Sequence, residues 1–372
     1  MATMKFIVRI RIYNILIFLI ISTYFVNAQE NNQKINDLIN QFVIHENFNG
    51  VVLVAQNSEA IFKKAYGLAN REWEIPNAID TKFRIGSLTK QFTALLILQL
   101  VDKGKINLDG KISDYLDYYN KDIGNKVTIH HLLTHTSGLP IFSSKPLPEA
   151  YIGSYPVKDF VEKYCSDSLD FEPGSKFQYS NCGYYILGAI IESVTGKTYE
   201  ENLAQMILEP SGMKNTGYDH PENILSKRAS GYGVDNGKLF NARYQNMSIP
   251  FSAGAIYSTV EDFLLWDKEL YSGKLLSKKL TKLMLSPQAA NENYGYGWYI
   301  SKDTLTDVNN PITVCSHGGS ITQFNNLIVR RLDEKILIVI FSNVNGTRLG
   351  AMSKGINLIL HNKPIDAIFP NN

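Results

Sequence analysis

Apolar, strand-like runs stand at both ends of this chain, and helix-like patterns fill the middle. Near the N-terminus, Val51–Ala55 and Ala60–Ala65 flank Gln56-Asn57-Ser58-Glu59, which predicts a β-hairpin. Near the C-terminus, Asn326–Arg331 and Lys335–Phe341 flank Leu332-Asp333-Glu334, a second hairpin rich in Ile and Val. Between them, residues 88–103, 184–195 and 260–271 read as helices, the first stopping at Lys103-Gly104. Asp235-Asn236-Gly237 marks a tight turn between two short strand-like stretches. Such a chain must bring its ends together to pair its strands. The expected architecture is α+β: one antiparallel sheet built from both chain ends, flanked by helices, with a mainly helical insertion. The sheet region is expected at about 40–85 and 240–372 and the helical region at about 88–230, within a single catalytic domain spanning 29–372.

The first 28 residues are set apart from this domain. Lys5, Arg9 and Arg11 precede the apolar run Ile15–Ile21, and Val26-Asn27-Ala28 follows, the anatomy of a secretory signal peptide or, failing cleavage, of a membrane anchor. No other run is long enough to span a bilayer. The expectation is export, to the periplasm or the extracellular space. The formal charge of the 372 residues is +2; residues 1–28 hold three positive charges and no negative one, so the remainder carries −1. This near-balance speaks against nucleic-acid binding. Three cysteines, at 165, 182 and 315, are too few for a disulfide scaffold, although Cys165 and Cys315 could pair in an oxidising compartment.

The sharpest chemical feature is Gly86-Ser87-Leu88-Thr89-Lys90 at the head of a helix. Residues three apart share a helix face, so the Lys90 amine can lie beside the Ser87 hydroxyl. A serine needs a neighbouring base to become a nucleophile, and a lysine can serve if burial lowers its pKa. The other reading makes Ser87 an N-cap and Lys90 a surface residue. Two further segments bear on the choice. Phe177-Gln178-Tyr179-Ser180-Asn181 follows the turn Glu172-Pro173-Gly174-Ser175, and Tyr179 and Asn181 could supply a proton relay and an amide anchor. Ser316-His317-Gly318-Gly319-Ser320 precedes the last hairpin, where glycines would let backbone N–H groups approach a substrate.

With these residues in order, the chain resembles the serine β-lactamase and penicillin-binding-protein superfamily, in the branch of class C β-lactamases, D-alanyl-D-alanine carboxypeptidases, D-aminopeptidases and related esterases. The three motifs S-x-x-K, Y-x-N and K/H-x-G stand here as Ser87–Lys90, Tyr179–Asn181 and His317–Gly319. Leu133-Thr134-His135-Thr136-Ser137-Gly138-Leu139-Pro140, Phe171-Glu172-Pro173-Gly174 and Pro210-Ser211-Gly212-Met213 also look like the family. The resemblance implies a β-lactamase/transpeptidase-like fold and an acyl-enzyme at Ser87, with Lys90 and Tyr179 sharing the proton traffic. It places Asn181, His317, Gly318, Gly319 and Ser320 around the substrate, with the oxyanion between the backbone N–H groups of Ser87 and Ser320. It implies no metal and no organic cofactor, and a small-molecule or peptide substrate as the partner. Oligomeric state is not legible.

The departures bear on substrate. Histidine at 317 replaces the lysine of many class C β-lactamases, which weakens anchoring of an anionic β-lactam. Gln323-Phe324 stands where the family commonly has glycine before phenylalanine, placing a side chain at the cleft rim. The expected function is therefore an exported serine hydrolase of a small amide or ester, D-amino-acid peptides among the candidates. The alternatives are a true class C-like β-lactamase and a non-catalytic penicillin-binding or sensor module. His131 and His135 are four apart but lack the glutamate of a metalloprotease helix. No G-x-S-x-G elbow surrounds any serine, so an α/β-hydrolase has no motif to rest on. Tyr294-Gly295-Tyr296-Gly297-Trp298 reads equally as a cleft wall or a strand edge.

Overall fold

The computed structural model describes residues 29–141, 152–288, 293–305 and 308–369; the signal segment 1–28 lies outside them. Six strands form the main sheet: β1 (Gly50–Gln56), β2 (Glu59–Tyr66), β3 (Tyr299–Asp303), β4 (Ile312–Ile321), β5 (Phe324–Arg331) and β6 (Ile336–Ser342). Their order is β3-β4-β5-β6-β1-β2, antiparallel throughout, so the two chain ends meet where β1 pairs with β6. Leu53 faces Val339 and Val54 faces Ile338 across that join. Both strands are continuous runs of Val, Ile and Leu because both faces of the sheet are covered. At the edge, β2 carries exposed Lys63 and Lys64, which discourage further strand pairing. The β1–β2 turn holds Asn57 and Ser58 at φ of 52° and 66°, the paired positive values of a two-residue hairpin loop.

The period of two along each strand sorts the core into two clusters. Val51, Leu53, Val339 and Phe341 face the helical insertion. Val52, Val54, Ile338 and Ile340 face the terminal helices, α1 (residues 29–46) and α7 (Leu349–Leu360), through Leu38, Phe42, Met352 and Ile356. Within the insertion lie α2 (Thr89–Asp102), α3 (Val157–Tyr164), α4 (Asn181–Thr195), α5 (Val260–Ser272) and α6 (Lys278–Met284). The helical part thus continues to Met284, and the C-terminal share of the sheet begins at Tyr299 rather than near 240. Residues Thr89 to Leu100 of α2 are all buried, so this helix is covered on every side and carries its first turn into the protein interior.

Cysteine pairing differs from the sequence expectation. Cys165, just after α3, is disulfide-bonded to Cys182 near the start of α4, with Cα atoms 5.2 Å apart. Cys315 is a buried free thiol on β4. The packing of α3 on α4 decides the pair, since it brings together ends that the 17-residue spacing alone does not.

Candidate active site

Ser87 lies in the short 3-10 turn Gly86–Leu88 that runs directly into α2. The N-cap of α2 is Leu88 and no side chain caps it, so Ser87 is not a capping residue. The turn exists because Gly86 adopts φ of 54°, and a Cβ there would stand 2.9 Å from the backbone N of Ser320. Gly319 packs as closely: a Cβ on it would collide with the carbonyl oxygen of Ile85. These two glycines let β4 lie against the serine turn and bring the backbone of Ser320 beside that of Gly86.

Lys90, one turn further on, is fully buried. Its Nζ lies 2.8 Å from Asn181 Oδ1, 2.8 Å from the Ala253 carbonyl oxygen and 3.1 Å from Ser87 Oγ. Burial drives its pKa well below the ordinary lysine value, and no carboxylate acts to raise it. A neutral amine has two N–H donors and one lone pair. Two of its three neighbours are carbonyl oxygens that only accept, so they take the two N–H groups. In that neutral form the lone pair is left for the hydroxyl of Ser87, whereas the protonated amine donates to it. Asn181 is the first residue of α4, whose N-terminus is capped by Ser180 accepting from the Gly183 N–H.

The ring of Tyr179 covers the Lys90 amine, 4.9 Å from its centroid, and Tyr184 covers it from another side at 5.5 Å. Burial pushes the Tyr179 phenol well up, against a smaller opposing pull from Ser87 beside it, and its hydroxyl meets no partner at hydrogen-bond geometry among the described residues. Ser87, Lys90, Tyr179 and Asn181 therefore come together from a helix turn and the loop leading into a second helix.

His317 is placed differently from its expected contact with substrate. The ring is 3% exposed, with Nε2 3.1 Å from Tyr294 Oη and Nδ1 2.6 Å from the Gly318 carbonyl oxygen. Burial and the proximity of Lys90 lower its pKa to about 3, so it is neutral. Strand alternation is the reason: on β4, His317 and Gly319 turn inward while Gly318 and Ser320 turn outward.

Two residues with no catalytic or substrate-binding role in the sequence prediction complete this layer. His135 Nδ1 accepts from the Ser180 N–H at 3.1 Å, and its Nε2 lies 3.2 Å from Tyr294 Oη. The His135 ring underlies Tyr179 at 4.2 Å between centroids. A peptide N–H can only donate and a carbonyl can only accept, which fixes the tautomers of the two neutral histidines between them. Ser180 N–H donates to His135, His135 Nε2–H to Tyr294, Tyr294 O–H to His317, and His317 Nδ1–H to Gly318. This chain joins the Tyr179 loop to β4. His135 holds it at φ of 58°, a strained value for a non-glycine residue. The family-like segment around His135 and the Tyr294–Trp298 run were the available signals. In the fold, Tyr294, Tyr296 and Trp298 are all buried, so the run is a wall behind the site.

His131 does not join His135. It closes a capping box with Thr128 at the head of its own short helix, Ile129–Leu133. Among the described residues no group of three or more His, Cys, Asp or Glu side chains is placed to hold a metal ion. Gln323 is half-buried in the two-residue turn between β4 and β5, beside Thr322.

A serine and a buried amine on one turn, roofed by a tyrosine and set against β4 of a six-stranded antiparallel sheet, define a β-lactamase/transpeptidase-like protein. The profile of the Beta-lactamase family matches residues 35–360, and the chain belongs to that family. The putative penicillin-binding protein PbpX of Bacillus subtilis is 28% identical over 90% of this chain and 80% of its own length. The teichoic acid D-alanine hydrolase of Staphylococcus aureus is 28% identical over 88% of this chain and 78% of its own. The structure of an octameric penicillin-binding protein homologue from Pyrococcus abyssi superposes with a TM-score of 0.78 at 27% identity, covering 91% of this chain and 79% of that one.

Proposed function

We propose that the protein is an exported serine hydrolase that forms an acyl-enzyme at Ser87 and cleaves a small ester or amide of a D-amino acid. The observation that carries the mechanism is Lys90, buried without a neighbouring carboxylate among the described residues, its pKa lowered by burial and its Nζ 3.1 Å from Ser87 Oγ. As Ser87 Oγ attacks the substrate carbonyl, its proton passes to Lys90 Nζ, and general-base assistance of this kind contributes about 10²–10⁴-fold. The oxyanion develops toward the N–H groups of Ser87 and Ser320, each such donor being worth about 10²–10³-fold. The carbonyl–leaving-group bond breaks as the proton returns, through the Tyr179 hydroxyl, to the departing oxygen or nitrogen. Water then releases the acyl group by the same route in reverse. Asn181 holds the Lys90 amine in place, and His135, Tyr294 and His317 hold the Tyr179 loop and β4 in register. Gly318, on the outward face of β4, leaves room for the substrate backbone.

The D-amino-acid preference rests on the relative named teichoic acid D-alanine hydrolase, together with a neutral, buried His317 that offers no charge to a β-lactam carboxylate. Export is supported by the signal-like residues 1–28 and by the Cys165–Cys182 disulfide, a bond that persists in oxidising compartments. Among the described residues no helix is long and apolar enough to cross a membrane.

Intact-mass spectrometry of the mature protein mixed with a D-alanyl ester, a D-alanyl amide or a penicillin tests this reading, with Ser87→Ala alongside. The expected result is Ser87-dependent turnover of a D-alanyl substrate. Turnover retained in Ser87→Ala overturns the mechanism, and rapid penicillin hydrolysis replaces the substrate reading with the β-lactamase alternative.

A further inference from the structure

A cavity of about 480 Å³ opens beside the site, walled by the same two segments that build it. Arg84 precedes Ser87 by three residues, and Thr322 follows Ser320 by two; both line the cavity. Arg228 and Arg243 face them, and Trp73 and Tyr244 stand at the mouth, 80% and 52% exposed.

The arginines are not equivalent. Asp219, with no exposed side-chain surface, holds Arg84 Nε at 2.5 Å and Arg228 Nη1 at 2.8 Å. Arg228 Nη1 also reaches the carbonyl of His220, and its Nη2 those of Pro221 and Asn223. Arg84 spends Nε on Asp219 and Nη1 on Thr322, 3.2 Å away, which leaves Nη2 for a ligand. Arg243 makes no ion pair among the described residues. Glu72, the one acid in the wall, accepts from the Tyr232 hydroxyl at 2.6 Å. One buried acid shared by two arginines, one acid in the wall and a third arginine leave positive charge in excess. The bond from Arg84 also braces Thr322, a β-branched residue held at φ of 43°.

We propose that this cavity binds an anionic oxygen group, a phosphate or a carboxylate, carried by the part of the substrate remote from the scissile bond. Arg84 Nη2 and Arg243 take its oxygens, since a guanidinium presents planar donors matched to either group. Trp73 and Tyr244 cover whatever carries the group. The inference deepens the proposed function and rests on it for the word substrate; the binding itself does not depend on turnover.

Tryptophan fluorescence reads that binding. Trp266 and Trp298 are fully buried, so a ligand at the cavity mouth is reported by Trp73. The full mature chain is titrated with glycerol 3-phosphate and, separately, with succinate, which distinguishes the two sources of charge. The expected result is a saturable change with one probe, weakened by added salt and by about tenfold in Arg243→Ala, the loss of one charge-assisted bond. Arg243 is exposed and pairs with no buried acid among the described residues, whereas removing Arg84 would take one of its two arginines from the buried Asp219. No saturable change with either probe, or a change untouched by Arg243→Ala, overturns the proposal. In kinetics, an ester whose leaving alcohol carries the favoured anion is compared with its neutral counterpart. Arg243→Ala should shift the ratio of their KM values by about tenfold, and an unmoved ratio sinks the link to substrate. Anion binding without any Ser87-dependent turnover would refute the hydrolase and keep the cavity; turnover without anion binding would do the reverse.

Discussion

Lys90 and Arg330 are both completely buried, and the protein treats them in opposite ways. Arg330 is on β5, with its Nε 2.5 Å from Asp267 and its guanidinium 4.6 Å from the Tyr271 ring and 5.7 Å from the Trp298 ring. Burial opposes its charge, but Asp267 and Tyr271 outweigh burial and raise its pKa. Lys90 has aromatic faces too, yet its polar neighbours are neutral oxygens, and burial acts on it alone. Arginine does not deprotonate in proteins, whereas a desolvated lysine does so readily. Burial with a counter-charge builds a structural ion pair. Burial without one builds a base.

The largest break in this contrast should come from Lys90→Met. kcat/KM is expected to fall by about 10³-fold or more, with far less change in the urea midpoint; a variant that keeps its activity would remove Lys90 from the mechanism. Arg330→Met should give the reverse pattern. It strands Asp267 in the interior and is expected to cost about 3–5 kcal/mol in urea unfolding, while kcat per folded molecule is unchanged. Pairing it with Asp267→Leu should restore most of the loss, because an apolar pair can replace a buried ion pair at little cost.

Asn181→Asp would sharpen the comparison by giving Lys90 the counter-charge it lacks. The acid limb of the kcat/KM profile should then move to higher pH by about 1–3 units. An unmoved limb would show that the limb does not report Lys90. The smallest effect concerns the neutral histidines. An unfolded imidazole takes up a proton near pH 6.5, whereas folded His317 does so only near 3. Between these values the unfolded chain binds more protons, so stability declines as pH falls, by at most about 1.4 kcal/mol per unit for each such group. His135 is lowered in the same direction, first by burial. Urea melts from pH 7 to 4 would show the slope, and His317→Gln should flatten part of it.

Much of this was legible in sequence because it is local. Apolar runs rich in Val and Ile marked the hairpins at both ends, and the spacing of Ser87 to Lys90 put them on a shared face. The Asn57-Ser58 turn fell between its two strands as expected. What escaped depends on contacts between distant segments. Cys165 found Cys182 because α3 packs on α4, and Cys315 was removed from the choice by its place on β4. The direction of the His317 side chain follows from the register of β4, which no spacing reveals. Tyr294 gains its place only when β3 and the His135 turn converge on it. The late start of the sheet reflects α5 and α6, two helices inserted before Tyr299.

The chain from Ser180 through His135, Tyr294 and His317 to Gly318 has a consequence for the flow of protons. Water wires conduct because each member can swap its donor and acceptor roles. Here the terminal members are a peptide N–H and a peptide carbonyl, and neither can swap. The three rings between them are thus locked in one sense, His135 and His317 as opposite tautomers. The layer behind Lys90 and Tyr179 is an insulator, and in the proposed mechanism a proton lifted from Ser87 has the cleft itself, with the departing group in it, as its way out.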